Sequence, residues 1–152
     1  MLNIDRVWQR ASQRPEFRGK KITDFGLQAI VLRQNGITPG QVIPNIQRNF
    51  PNGGILVGMT GMATLATQDG TLPDNGLDLF ALSIEYQQQR SIVGTSNAIA
   101  ESVFGRNNDQ FPAMELYIPT NGMLLFTLES LIITNNISVT IVSHCLVPVN
   151  VG

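Results

Sequence analysis

From residue 22 onward the chain alternates short apolar stretches with turn residues, and no stretch keeps a 3.6-residue apolar period over the length of a helix. Residues that tolerate a positive φ separate these stretches, as at Asn35-Gly36 and Asn121-Gly122. The pattern predicts eight strands: Ile22–Gln34, Gln41–Phe50 with a break at Pro44, Gly54–Thr67, Leu77–Gln88, Ser91–Phe104, Ala113–Pro119, Met123–Ile133 and Ile137–Val147.

The last of these stretches has the clearest strand pattern. Within Ile137–Val147 the residues at 137, 139, 141, 145 and 147 are apolar, whereas Ser138, Thr140 and His144 lie at even positions. Side chains alternate between the two faces of a strand, so one face is predicted to be core and the other to meet solvent or a partner.

Eight short strands without intervening helices predict an all-β fold, because parallel strands would need long crossover connections. We expect an antiparallel β-sandwich over residues 22–152, of the jelly-roll type. A closed barrel and an immunoglobulin-like sandwich are the alternatives, although the Cys-Trp-Cys spacing of antibody domains is missing.

Residues 1–21 form a separate basic arm, predicted to be a short helix over residues 3–13 or an extended segment. They carry six basic and two acidic residues, a net charge of +4, whereas the rest of the chain carries four arginines and nine acids, a net charge of −5. The predicted interaction residues of the arm are Arg6, Trp8, Arg10, Arg14, Arg18, Lys20 and Lys21.

The arm has three candidate partners. Docking on a neighbouring subunit is favoured, and folding back on the body of the same chain is the second alternative. Binding to nucleic-acid phosphates is secondary, because a charge of +4 is modest and would give salt-sensitive, non-specific affinity.

The composition is typical of a protein that works through its surfaces. Charged residues make up 14% of the 152 residues, against about 25% in typical globular proteins. The chain has thirteen Asn and eleven Gln but only two Lys, and protein interfaces are likewise depleted of Lys and Glu. These features predict a subunit of a homo-oligomer, with a weakly charged monomer as the alternative.

The sequence offers little for catalysis. His144 is the only histidine, and it is next to Cys145, so on a strand the two side chains would point to opposite faces. Metal sites that use several His or Cys ligands are not available to a chain with one of each. No nucleotide-binding or acyl-transfer motif is present, and we predict no enzyme activity and no cofactor.

Two sites built from oxygen ligands or carboxylates are the alternatives to this prediction of no activity and no cofactor. A calcium site from Asp69, Asp74 and Asp78 is chemically feasible, but these acids lack the spacing of a known motif. Carboxylate pairs for sugar hydrolysis would have to come from Glu85, Glu101, Glu115 and Glu129, and the sequence brings no two of them together.

The chain is predicted to be soluble, without membrane insertion. The N-terminus has no basic start followed by an apolar stretch, so we expect no signal peptide. The longest apolar run, Met123–Ile133, contains polar residues and is far shorter than the roughly 20 residues that span a bilayer. Its single cysteine rules out an intrachain disulfide and leaves the compartment open.

Most of the body resembles the jelly-roll virion structural proteins of bacteriophages, of the minor capsid, decoration or connector-region type. The resemblance is carried by Ser83-Ile84-Glu85-Tyr86, Arg90-Ser91-Ile92-Val93-Gly94, Glu115-Leu116-Tyr117-Ile118-Pro119-Thr120-Asn121-Gly122, Leu124-Leu125-Phe126-Thr127-Leu128 and Ile137-Ser138-Val139-Thr140-Ile141. It implies a virion location, assembly with other virion proteins, an N-terminal arm that contacts a neighbouring subunit, and no catalytic residues.

The alternative function is a carbohydrate- or receptor-binding module. Its site would combine the loop residues Asn107, Asn108 and Asp109 with an exposed aromatic side chain, and the body has only Tyr86 and Tyr117 to offer. Glycan platforms favour exposed Trp and Tyr, so this shortage makes the binding module the second choice.

Overall fold

A computed structural model of the chain describes residues 4–13, 19–51, 53–65, 76–86, 90–104, 116–133 and 135–148. A short helix opens the described chain, eight strands follow, and a one-turn helix lies between the fifth and sixth strands. The elements are α1 (Ile4–Ala11), a 3-10 turn (Ile22–Asp24), β1 (Phe25–Ile37), β2 (Val42–Phe50), β3 (Gly54–Leu65), β4 (Phe80–Tyr86), β5 (Arg90–Ile99), α2 (Ala100–Phe104), β6 (Leu116–Ile118), β7 (Gly122–Ser130) and β8 (Ile137–Pro148).

The strands form two antiparallel four-stranded sheets. The first sheet has the order β1-β8-β3-β6 and the second has the order β2-β7-β4-β5. All six strand pairs are antiparallel. The prediction of an all-β, antiparallel sandwich is therefore confirmed.

One core fills the space between the sheets. Alternate residues of β1, β3 and β8 from the first sheet and of β2, β4 and β7 from the second belong to a single cluster of buried side chains. Its largest members are fully buried aromatic rings, namely Phe50, Phe80, Phe104 and Phe126. In β8 the inward row is the one that the alternation of the sequence predicts, namely Ile137, Val139, Ile141 and Cys145.

Two bulges interrupt the edge strands where the sequence has turn or breaker residues. In β2 the register shifts between Ile43 and Ile46, and Asn45 has a φ of 56°. This confirms the break predicted at Pro44, because proline lacks the N–H that a regular ladder needs. In β1 the register shifts between Gln34 and Ile37, and Gly36 has a φ of 66°.

Two local predictions were wrong. Asn35-Gly36 is not a turn between strands, since β1 continues through it to Ile37 as a bulge. The predicted strand Ser91–Phe104 ends at Ile99, and α2 takes up its last five residues. Five residues are too few to show a helical period in a sequence, which explains the second error.

The helix α2 closes one part of the core through a fit between a large and a small side chain. Phe104 is fully buried, and its ring lies over Gly61 of β3. A Cβ atom at position 61 would come within 2.6 Å of Phe104 Cε2, well inside van der Waals contact. Glycine at this position therefore makes room for the ring.

We predict that Gly61→Ala lowers the free energy of unfolding by about 1–3 kcal/mol through overpacking. In a Phe104→Leu background the same alanine should cost less, because the atoms that it meets are gone. Urea unfolding of the wild type, the two single variants and the double variant measures this coupling. Equal costs of alanine in both backgrounds would contradict the packing argument.

Candidate functional site

The helix α1 packs on the outer face of the first sheet. Trp8 and Ala11 contact a second apolar cluster, separate from the core, which is formed by Phe25 of β1, Leu146 of β8 and two residues of β3, Ile55 and Val57. The rings of Trp8 and Phe25 are tilted, with centroids 5.0 Å apart, a favourable aromatic geometry. The helical alternative for the arm is thus confirmed, and its contact with the body is apolar.

The structure places the described basic residues of the arm around this contact. Arg6 and Arg10 are exposed on α1, and Lys20 and Lys21 are exposed just before the 3-10 turn. The Lys20 Nζ lies 6.0 Å from the centre of the Phe25 ring, at the outer limit of a cation–π contact. Arg14 and Arg18 lie outside the described residues.

Two hydrogen bonds between Lys21 and Asp24, across the 3-10 turn, fix the chain between the lysines and β1. The backbone N–H of Lys21 donates to Asp24 Oδ2 at 2.8 Å, and the N–H of Asp24 donates to the Lys21 carbonyl at 2.9 Å. This reciprocal pair determines the direction in which the chain enters β1 at Phe25. Trp8 and Lys20 consequently meet at the same ring.

Beyond the part that α1 covers, the outer face of the first sheet carries exposed apolar side chains on β1 beside polar side chains on β8 and β3. Leu146 is paired with Leu27 on one side and with Ile55 on the other. Leu146 and Ile55 are buried under α1, whereas Leu27 remains 51% exposed on β1. Four residues further along β1 on the same face, Val31 is 49% exposed and is paired with the half-buried Val142 of β8.

We call the outward row of β1 the β1 row: Phe25, Leu27, Ala29, Val31 and Arg33. Arg33 is its only charged member. The strand itself was predicted, but its outward apolar row was not. The sequence does indicate the row, because Leu27 and Val31 on one face and Ile30 and Leu32 on the other make the strand apolar on both faces. Antiparallel strands with one solvated face usually alternate apolar and polar residues.

The outer face of the second sheet carries polar side chains as well. Its outward residues in β7 and β4 include Thr127, Ser83, Glu129 and Glu85, and β2 adds Gln47 opposite Leu125. Among the residues with described side chains, both outer faces therefore mix polar and apolar residues, and the exposed apolar ones of the first sheet include Leu27, Val31 and Met62.

His144 and Cys145 lie on opposite faces of β8, as predicted. His144 is half-buried on the outer face, between Ala29 of β1 and Gly58 of β3 in the strand register. Cys145 is a free thiol that is fully buried in the core. The two side chains therefore cannot act together as base and nucleophile.

The two described glutamates of the second sheet do not form a hydrolytic pair. Glu85 is in register with Leu125, and Glu129 with Ala81, so the two are four residues apart along the sheet. At about 3.4 Å per residue this offset separates their backbones by roughly 14 Å along the strands. Glycosidase carboxylates lie about 5–9.5 Å apart. Glu101 lies on α2, and Glu115 is outside the described residues.

Several other predicted positions fall outside the described chain. Of the three calcium candidates only Asp78 is described, where it is exposed, and Asn107, Asn108 and Asp109 are not described. Among the described residues, no three His, Cys, Asp or Glu side chains lie close enough together to hold a metal ion. No helix in the described ranges is long and apolar enough to cross a membrane.

We predict that Ala11→Glu detaches α1 from the sheet. Ala11 is buried in the apolar contact, so a carboxylate there would lose its hydration without gaining a partner. Trp8 is the only tryptophan, and its fluorescence reports the contact directly. The emission should move to longer wavelength, and quenching by acrylamide should increase.

The matched control for this variant is Gln9→Glu, which adds a glutamate at an exposed position of the same helix. It should leave the Trp8 emission unchanged. The same spectral change in both variants would show that added charge, and not the loss of the apolar contact, affects the helix.

We predict that Cys145 does not react with thiol reagents in the folded protein at pH 8. Burial raises the pKa of its thiol from 9.0 to about 12, and the thiolate is the reactive form. Because the folded state holds this proton more tightly than the unfolded chain does, the associated stability is complete below pH 9 and is lost as the pH rises toward 12.

Reaction with a chromogenic disulfide, with and without denaturant, measures the first effect, and urea unfolding between pH 8 and 11 measures the second. Burial also raises the pKa of Tyr86, so the thiol's part is the difference from Cys145→Ala. A Cys145→Ala variant with an unchanged slope of stability against pH would contradict the assignment to the thiol.

No protein-family model, curated protein or solved structure matches this chain. The most distinctive described surface is the β1 row, where Leu27 and Val31 are each about half exposed near α1.

Proposed function

We propose that the chain is a structural subunit of a virus particle, with a jelly-roll body that acts through protein–protein assembly. The observation that carries this proposal is the pairing of the strands. β1 pairs with β8, β2 with β7, β3 with β6 and β4 with β5. This nested order favours a jelly roll, since it is that of a long antiparallel hairpin wrapped into two sheets.

A jelly roll alone does not determine a function, because capsid proteins, lectins and cupin enzymes share it. The surface composition favours assembly among these uses. Only 14% of the residues are charged, and Asn and Gln together number twenty-four. Low Lys and Glu content lowers the cost of removing water from a surface when a partner binds.

The distribution of apolar side chains supports the same function. Leu27, Val31 and Met62 are large apolar residues on the outer face of the first sheet, and each is at least 40% exposed. Leu27 and Val31 lie on the same row of β1, and neighbouring exposed apolar side chains are typical of a site that another protein covers. The arm adds the exposed Arg6 and Arg10 on α1, and charges at the rim of a contact favour particular partners and orientations.

A carbohydrate- or receptor-binding module is less well supported. Tyr86 is half-buried and packs against the core, and Tyr117 is half-buried against the α1 cluster. Neither ring is freely presented as a platform for a sugar. The loop residues assigned to this alternative lie outside the described chain.

Virus particles from cells that carry the gene provide the test. Particles that resist nuclease are banded in a density gradient, and the chain is quantified in each fraction by mass spectrometry. We expect it to co-sediment with the nucleic acid of the particles in a fixed ratio to their other proteins. Recovery of the chain only from the soluble fraction, while particles form normally, would refute the proposal.

A further inference from the structure

We infer that the free edge of β1 is a self-association edge. Two copies of the chain pair their β1 strands antiparallel about a twofold axis at Ala29, and their first sheets join into one sheet of eight strands. This inference rests on the proposed function, because it names a surface through which the subunit meets a second copy of itself.

Among the described residues, the outer edge of β1 carries few of the devices that normally protect an edge strand. Native edges are blunted by proline, lysine, bulges or short length, since unpaired N–H and C=O groups otherwise recruit another strand. Among the described strand pairs, β1 pairs with β8 alone, and its thirteen residues contain no Pro and no Lys. Its one bulge lies at the C-terminal end, beyond Gln34.

The other edges of the two sheets differ from β1 in this respect. In β2, Pro44 and the bulge at Asn45 interrupt the strand. The described part of β6 has three residues. The pairing of β5 with β4 shifts register twice within the strand. By contrast, the ten residues Phe25–Gln34 pair with β8 without a single shift. A regular strand of this kind can accept a second strand along its whole length.

The β1 row is complementary to itself under this symmetry. With the axis at Ala29, Leu27 of each copy lies opposite Val31 of the other, and Phe25 lies opposite Arg33. The first arrangement gives two apolar cross-strand pairs from side chains that are each about half exposed in the single chain. The second leaves Arg33 opposite a residue without charge. A twofold interface requires this matching of one surface with itself.

The strand that pairs with β1 is that of a second copy and not an unrelated one, because the β1 row matches itself under the twofold symmetry. Like charges directly opposite each other would destabilise the pair, but the only charge in Phe25–Arg33 faces an aromatic residue. An edge pair of nine residues covers less than the roughly 800 Å² per partner of a standard interface. We therefore expect a reversible dimer that depends on concentration and little on salt.

The first test compares two lysine substitutions of the full chain. Val31→Lys places a charge in the β1 row, and Val42→Lys places it on β2, the edge of the other sheet, where valine is 47% exposed. Sedimentation equilibrium over a range of concentrations gives the dimerisation constant. We expect Val31→Lys to weaken dimerisation by about tenfold or more, since lysine protects edges, and Val42→Lys to leave it unchanged.

The second test locates the axis with single cysteines. In the proposed pair the two copies of Ala29 are directly opposite, at about 4.5–5.5 Å between Cα atoms, within the range of a disulfide. The two copies of Gln28 are diagonal to each other, at roughly 7–8 Å, which is too far. Ala29→Cys should therefore form a disulfide-linked dimer under mild oxidation, whereas Gln28→Cys should not. Native Cys145 is buried and does not compete.

The outcomes separate this inference from the proposed function. A wild-type chain that stays monomeric at all concentrations, or a dimer that Val31→Lys does not weaken and Ala29→Cys does not link, overturns the β1 pairing. If Val31→Lys fails to fold, the two cysteine variants decide alone. Incorporation into particles is measured independently, so a chain that enters virions as a monomer would refute the edge and not the function.

Discussion

The first sheet depends on β8, which forms hydrogen-bonded ladders with β1 on one side and β3 on the other. Its inward row fills the core, and Leu146 on its outward row supports α1. An interior strand satisfies its backbone groups on both edges, and such pairing between distant parts of a chain is costly in entropy until all partners are in place. The core, the helix contact and the regular register of β1 over Phe25–Gln34 all involve this one strand.

The positions of the strands could be predicted largely from the sequence because each apolar stretch is bounded by residues with special backbone preferences. The break at Pro44 illustrates this, since proline cannot donate to a ladder. The α1 contact could be predicted only in part. Trp8 is among the predicted interaction residues of the arm, but the platform that receives it comes from three strands that are far apart in the chain.

What the sequence could not reveal depends on neighbours in space. Leu27 and Ile55 are alike in a one-dimensional pattern, yet only Ile55 is covered by the helix. Which apolar side chains of the outer face are exposed is determined by how β1, β8 and β3 lie side by side under α1. The same limit applies to α2, whose five residues form a helix that places the Phe104 ring over Gly61. In both cases the tertiary arrangement decides, and local propensity is too weak to indicate it.

The bulge at Asn45 has a consequence for how far sheet pairing can extend. An isologous contact occupies the strand edge that forms it on both copies. A chain with one regular edge can therefore add only one other chain in this way. Because Pro44 and Asn45 interrupt the edge of the second sheet, strand addition cannot continue there into a fibre. Any further self-association would then use other surfaces, such as α1 or side chains on the faces of the sheets. Pro44 in β2, the shortness of the described β6 and the register shifts of β5 thus each oppose open-ended strand addition.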